Sequence, residues 1–440
     1  MAPLPHAPRR RALAVLVAWL LLLARSGAFQ TVTDHAELRP DQNQMEETRR
    51  EYEESLNLYR NLAQKDPDSY LPSVAATLNE LGILSGSQNR LEEAQKEYEE
   101  SLKIYRNLSQ KHPDTYLPSV AAALNNLGML VPDNNRMEES LKIYRELAQR
   151  DPGTYLPYVA VTNNNLGNLN SAQGLMEKAR KEYEESLRIY RGLAQKDPDA
   201  YLPYEAFTRD NLGHLDSLQN QMEKARQEYQ AALKIYRELA QKNPESYRPD
   251  VATMLNTLGI LDRDRNQIKE AHNEHEEALQ IFRELAQKDP DTYLAYVAAT
   301  LNQLGVLDRD PNQIEEALGT YRNLAQKDPE TFLPKVALTL NNLAVLDSAQ
   351  KRMQEAQNQY GEALKIYREE AQKDPDTYLP YVAMTLNNVG ILDRDQNRIA
   401  EARKEFDEAL NIYEAFAIRF PGQFTIDVER LKKLLKGLPK

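Results

Sequence analysis

Nine prolines, each closing a Lys-Asp-Pro-like stretch, punctuate this chain at Pro67, Pro113, Pro152, Pro198, Pro244, Pro290, Pro329, Pro375 and Pro421. Their spacings are 46, 39, 46, 46, 46, 39, 46 and 46 residues. Tandem duplication of one structural unit produces such a series, and it constrains the fold more than a length of 440 residues does. Each unit carries two helical patterns. The first, such as "LPYVAMTLNNVGIL" at 379–392, opens on a proline that suits a first turn and stops at the polar turn "DRDQNR". The second, "IAEARKEFDEALNIYEAFAIRF" at 399–420, spaces Ile399, Ala402, Phe406, Ala409, Ile412 and Tyr413 at helical intervals, with charge elsewhere. No stretch alternates with period two, so strands are not expected. A helix pair alone cannot bury its apolar stripe; stacking on neighbouring pairs does so. The aromatics that recur once per helix, as at Tyr378 and Tyr413, read as packing between units.

Two units lack seven residues. "LEEAQKEYEESLKIYRNL" (91–108) becomes "MEESLKIYREL" (137–147), and "IEEALGTYRNL" (314–324) shows the same loss. Seven residues span nearly two turns, so the stripe slips by only about 20°. The expected result is a second helix shortened by roughly 10 Å with its apolar face still inward. Residues 45–66 read as a second-type helix without its first, eight units follow, and "GQFTIDVERLKKLLKGL" (422–438) reads as a final first-type helix. In it Lys432 and Lys436 stand where Leu386 and Gly390 stood, the polar outer face that a terminal cap requires. The predicted fold class is all-α, an α-α superhelix of about eighteen antiparallel helices over residues 45–440.

The first 28 residues are of another kind. "PRRR", the apolar run Ala12–Ala24 and then "RSGA" give the charged start, apolar middle and small-residue end of a secretory signal peptide, cut after Ala28, with 29–44 as linker. The alternative is an uncleaved anchor, although the run is short for a span of about 20 residues. An exported product, periplasmic or extracellular, is expected, with no membrane association beyond this leader. There is no cysteine, which removes disulfides, thiol nucleophiles and cysteine–zinc sites. Net charge is −12, and the leader contributes Arg9, Arg10, Arg11 and Arg25 without an acid. A chain this acidic disfavours nucleic acid as a partner.

At fixed offsets a unit shows a large apolar residue, Leu-Gly, then Ala, an aromatic and Ala: Leu386, Val389-Gly390, Ala402, Phe406 and Ala409, or Leu255, Leu258-Gly259, Ala271, His275 and Ala278. These residues resemble the tetratricopeptide repeat (TPR) over roughly 38–440. The long period looks like the long-helix variety of kinesin light chains. A TPR solenoid is the fold the resemblance implies. Small residues at Gly82, Gly128, Gly167, Gly213, Gly305 and Ala344 fit close approach of backbones. The family's tyrosine three residues after the glycine is missing; Ser85, Val131, Asn170, Asp216, Asp262, Asp308, Asp347 and Asp393 stand there. Polar Asn163 and Arg209 replace the large apolar residue in two units, which marks 160–215 as the softest part of the stack.

The resemblance also implies that first-type helices line a concave groove in which another protein or an extended peptide binds. Asparagines recur there: Asn79, Asn125, Asn164, Asn256, Asn302, Asn341 and Asn387 in a first position, and Asn126, Asn165, Asn211, Asn342 and Asn388 in the next. Carboxamides offer a donor and an acceptor to any peptide backbone, so these twelve are the candidate peptide-binding residues. Two other readings stay open: asparagines that satisfy groups within the stack, and asparagines copied by recent duplication.

Catalytic chemistry is not evident. His272 and His275 in "AHNEHEEA" lack the order of a zinc-protease motif, and His275 occupies a buried aromatic position. The many carboxylates read as solvated faces with Lys and Arg partners four residues away. "LDRD" at 261–264, 307–310 and 392–395 reads as a turn with an N-cap rather than a calcium site, and Asn107-Leu-Ser109 is a glycosylation sequon on a helix. No enzyme activity, cofactor or metal is predicted. The expected function is an exported protein-protein interaction scaffold; the alternative is a structural spacer without a groove ligand.

Overall fold

The computed structural model describes residues 42–439. The expected signal peptide and most of the expected linker lie outside them. The described residues form eighteen helices and no strand. Nine are of the second type: α1 (Gln42–Ala63), α3 (Leu91–Lys111), α5 (Asn134–Arg150), α7 (Met176–Ala194), α9 (Met222–Lys242), α11 (Ile268–Lys288), α13 (Pro311–Lys327), α15 (Met353–Lys373) and α17 (Ile399–Arg419). They alternate with nine of the first type: α2 (Pro67–Ser87), α4 (Pro113–Leu130), α6 (Pro152–Ala172), α8 (Pro198–Leu218), α10 (Pro244–Asp264), α12 (Pro290–Asp308), α14 (Pro329–Ala349), α16 (Pro375–Asp395) and α18 (Pro421–Gly437). The chain divides into two compact units after Asp250, and each is an all-α stack of hairpins in which consecutive helices pack together. The α1 helix starts at Gln42, three residues before the expected boundary.

The repeated surface run "QKDPDTYL" has a local cause. The aspartate before the proline is the N-cap, as where Asp374 accepts from the Thr377 amide at 3.2 Å, and the proline takes the first helical position, where no amide hydrogen is needed. Asp66, Asp151, Asp197, Asp289 and Asp328 cap in the same way. At the opposite end of several hairpins one residue enters the left-handed region, and asparagine supplies it at Asn89, Asn220, Asn266 and Asn397.

The predicted stripe of α17 is in the core: Ala402, Phe406 and Ala409 are wholly buried and Tyr413 nearly so. Gly82, Gly167, Gly213, Gly259 and Gly390 meet an aromatic ring rather than a backbone. A Cβ on Gly82 would lie 2.7 Å from the Tyr98 ring, and one on Gly390 would lie 2.6 Å from Phe406. Where seven residues are missing, the loss is divided between both arms of the hairpin. α4 and α5 have 18 and 17 residues against 21 and 21 in α2 and α3, so neither arm loses the expected 10 Å. The deletion sits at the hairpin tip, and shortening one arm alone would leave the other without a partner. Met137 then takes the place of the aromatic, against Gly128, and Ile314 does so against Gly305.

One set of charge pairs runs between neighbouring second-type helices. Arg60–Glu100 and Arg106–Glu139 in unit 1, and Arg322–Glu362 and Arg368–Glu408 in unit 2, join successive helices at 2.5–2.7 Å. All are about half exposed and add little each. Of the three "LDRD" stretches only 307–310 supplies a cap, Asp310 for α13; the others complete the last turns of α10 and α16. There Asp262 and Asp393 are buried and pair with Arg265 and Arg398. Asp216–Arg180 at 2.5 Å and Asp347–Arg352 follow the same design, a buried carboxylate on a guanidinium where the family has tyrosine.

Candidate functional site: the face of the first-type helices

The asparagines occupy one band of the first-type helices, where these helices touch each other. Each second-position amide donates to the first-position carbonyl one repeat earlier. In unit 1, Asn126 donates to Asn79 at 3.3 Å, Asn165 to Asn125 at 3.1 Å and Asn211 to Asn164 at 3.1 Å. In unit 2, Asn342 donates to Asn302 and Asn388 to Asn341, both at 3.2 Å. Asn256 lacks such a donor because Gln303 holds the corresponding place; it donates to Thr300 at 2.6 Å and accepts from His275 Nδ1 at 3.0 Å.

This rung pattern revises the expectation of twelve residues open to a peptide. Asn125, Asn164, Asn256, Asn302, Asn341 and Asn387 are at most 6% exposed, and Asn126 and Asn165 are buried too. Only Asn79, Asn211, Asn342 and Asn388 are half-buried. The reason is geometric: a first-position side chain points at the neighbouring helix, where its carbonyl accepts within the stack, Asn387 excepted, whose buried Oδ1 has no partner. Asp210, the one carboxylate in that row, has no such rung. Burial, and then the charge of Asp250, push its carboxyl up to about 7; burial does the same to Asp250.

A second band, beside the rungs, faces solvent. Its residues are spaced i, i+3, i+7 and i+10. In unit 1 they are Tyr158, Val161 and Asn168 on α6, and Tyr204, Phe207, Asn211 and His214 on α8. In unit 2 they are Tyr296, Ala299, Gln303 and Val306 on α12, Lys335, Leu338, Asn342 and Val345 on α14, and Tyr381, Met384, Asn388 and Ile391 on α16. Tyr158 is 40% and Val345 44% exposed, and the others are half-buried. Each tyrosine stacks on a buried aromatic of the preceding second-type helix: Tyr158 on Tyr144, Tyr204 on Tyr190, Tyr296 on Phe282 and Tyr381 on Tyr367, with centroids 4.9–5.3 Å apart. One face of each ring is thereby covered, and each tyrosine as a whole stays partly exposed. Sequence reasoning missed these tyrosines, although the alternation of "LPYVA" with "LPSVA" carries the signal.

His275 is buried over Gly259, and burial, then the charges of Arg263 and His272, lower its pKa to about 4. His272 instead reaches Asp308 at 3.0 Å. Among the described residues no group of three or more His, Cys, Asp or Glu could hold a metal ion. Nor is any described helix long and apolar enough to cross a membrane.

Models of the tetratricopeptide repeat match residues 74–114, 119–192, 251–291 and 336–415. No curated protein matches the chain significantly in sequence. Among solved structures the chain is similar to BtubC (BKLC) from P. vanneervenii, at 26% identity over 55% of this chain and 91% of that one, TM-score 0.45. It is also similar to the apo form of RapI, at 16% identity over 68% and 99%, TM-score 0.45. A third is YrrB, described as a TPR protein with an unusual peptide-binding site, at 16% identity over 51% and 91%, TM-score 0.31.

Proposed function

The chain belongs to the tetratricopeptide repeat family, and from that premise we propose that it is an exported protein-protein interaction scaffold, holding its partner on the first-type helices. The observation that carries this reading is the solvent-facing band of stacked tyrosines, apolar side chains and carboxamides, repeated on successive helices within each unit. Aromatic edges on a rigid base bury area at little entropic cost, and amides beside them can pair with a partner's backbone. The rungs hold the helices in register and so space the band. A spacer without a ligand does not require tyrosine there, since serine holds the place at Ser73 and Ser119.

Residues 29–440 used as bait in native extract test the proposal, with Tyr296→Ser/Tyr381→Ser and Tyr158→Ser/Tyr204→Ser variants alongside. Partners captured by the wild type are expected to be lost from at least one variant whose melting temperature is unchanged. Equal capture by all three proteins would favour the spacer. Export belongs to the same proposal and rests on residues 1–28. Mass spectrometry of the native protein is expected to find an N-terminus at Phe29; an intact Met1 would remove it.

A further inference from the structure

Unit 1 contains one first-type helix whose buried positions are charged. Val74, Val120 and Val159 are buried on α2, α4 and α6, but Glu205, 8% exposed, holds that place on α8. Leu78 and Leu124 are replaced by Arg209, and the first-position asparagine by Asp210. The charges are tied to both neighbours: Arg209 reaches Glu205 at 3.0 Å and Glu228 of α9 at 2.6 Å, and Arg191 of α7 reaches Glu205 at 3.3 Å. Such a network gives back in pairing much of what desolvation costs, whereas apolar side chains of the same volume give a net gain. The apolar packing of α8 on α7 is split: Ala179, Tyr183, Leu187, Leu212 and Leu215 form one cluster, while Tyr201 and Tyr204 join Ile189, Tyr190 and Leu193 in another. Between α3 and α4 the equivalent cluster runs from Tyr98 and Leu102 through Tyr105 and Leu108 to Leu124 and Leu127.

We infer that α8 is the segment of unit 1 that opens first, a reversible release built into the stack. In the closed state its charges fix the register against α7 and α9; on opening they regain water, while Tyr183 and Leu187 become accessible. The α4 helix stays shut, because its opening would expose large apolar area without solvating a buried charge of its own.

Native-state hydrogen exchange on the full chain, read by mass spectrometry, tests this. Amides of residues 198–218 are expected to exchange about tenfold or more faster than those of 113–130. The Glu205→Val/Arg209→Leu/Asp210→Asn variant, which restores the residues of sibling units, is expected to abolish that difference without slowing 113–130. Exchange of both helices at one rate in the wild type would overturn the inference, and that comparison stands even if the variant does not fold. A folded variant in which 198–218 remains as fast as before would overturn it as well.

Discussion

A carboxamide facing a neighbouring helix is a different object from one facing a groove, and the rungs show which asparagines are which. Asn341 is buried and accepts from Asn388, so Asn341→Ala leaves the half-buried Asn388 amide short of its acceptor. A loss of about 1–2 kcal/mol in denaturant unfolding is expected, and unaltered stability would deny the rung any structural weight. The titrating residues pull in opposite directions with pH. Asp210 has a folded pKa raised to about 7, so the stability it allows is present below its unfolded value near 4 and is lost as pH rises towards 7. Asp210→Asn is therefore expected to gain over the wild type in melting temperature between pH 4 and pH 7, and to keep that lead above it. His275 has a folded pKa lowered to about 4, so its contribution is present above pH 6.5 and is lost as pH falls to 4. Thermal melts of His275→Phe should lose less than the wild type over that acid range.

Helices here are cut in pairs. The seven-residue deletions divide between the last turn of a first-type helix and the first turn of the second-type helix after it, and the apolar residue at the new tip replaces an aromatic against glycine. A further deletion of seven residues at the tip of α16 and α17, matched to the α4–α5 alignment, is expected to keep helix content per residue and cooperative unfolding. Deletion of five at the same tip rotates the stripe of α17 by about 140° away from α16, and circular dichroism should show a broadened melt. Indistinguishable melts for the two deletions would show that hairpin register is not fixed by these stripes. The same logic accounts for the missing family tyrosine: a carboxylate at Asp262, Asp347 and Asp393 closes the hairpin on an arginine instead, and Asp216 pairs with Arg180 of α7.

Seen as a whole, the chain is a series of local solutions repeated, and its stability is expected to be the sum of neighbouring interfaces. Its outermost described first-type helix, α18, turns lysines outward: Lys432, Lys433 and Lys436 are exposed, and Lys432 meets Glu414 of α17 at 2.7 Å. Restoring the internal residues with Lys432→Leu and Lys436→Gly removes that polar cover. Light scattering is expected to show self-association of this variant at concentrations where the wild type scatters as one species, and no change would mean that the lysines do not cap.

The sequence alone determined the class, the helix count and the hairpin order, because a 46-residue period, a three-and-four apolar spacing and an Asp-Pro cap are local properties that survive without a neighbour. It also located the two polar substitutions, Asn163 and Arg209, at positions that hold a large apolar residue in other units. What only the tertiary structure decided is which side of a first-type helix meets water. Asn387 and Asn388 are adjacent and chemically identical, yet one is buried against its neighbour and the other is half-open, and the accessible tyrosines lie seven residues from the accessible amides, as Tyr381 does from Asn388. Helical periodicity fixes the angles between side chains along one helix, but the azimuth at which the next helix lands is set by packing from both sides at once.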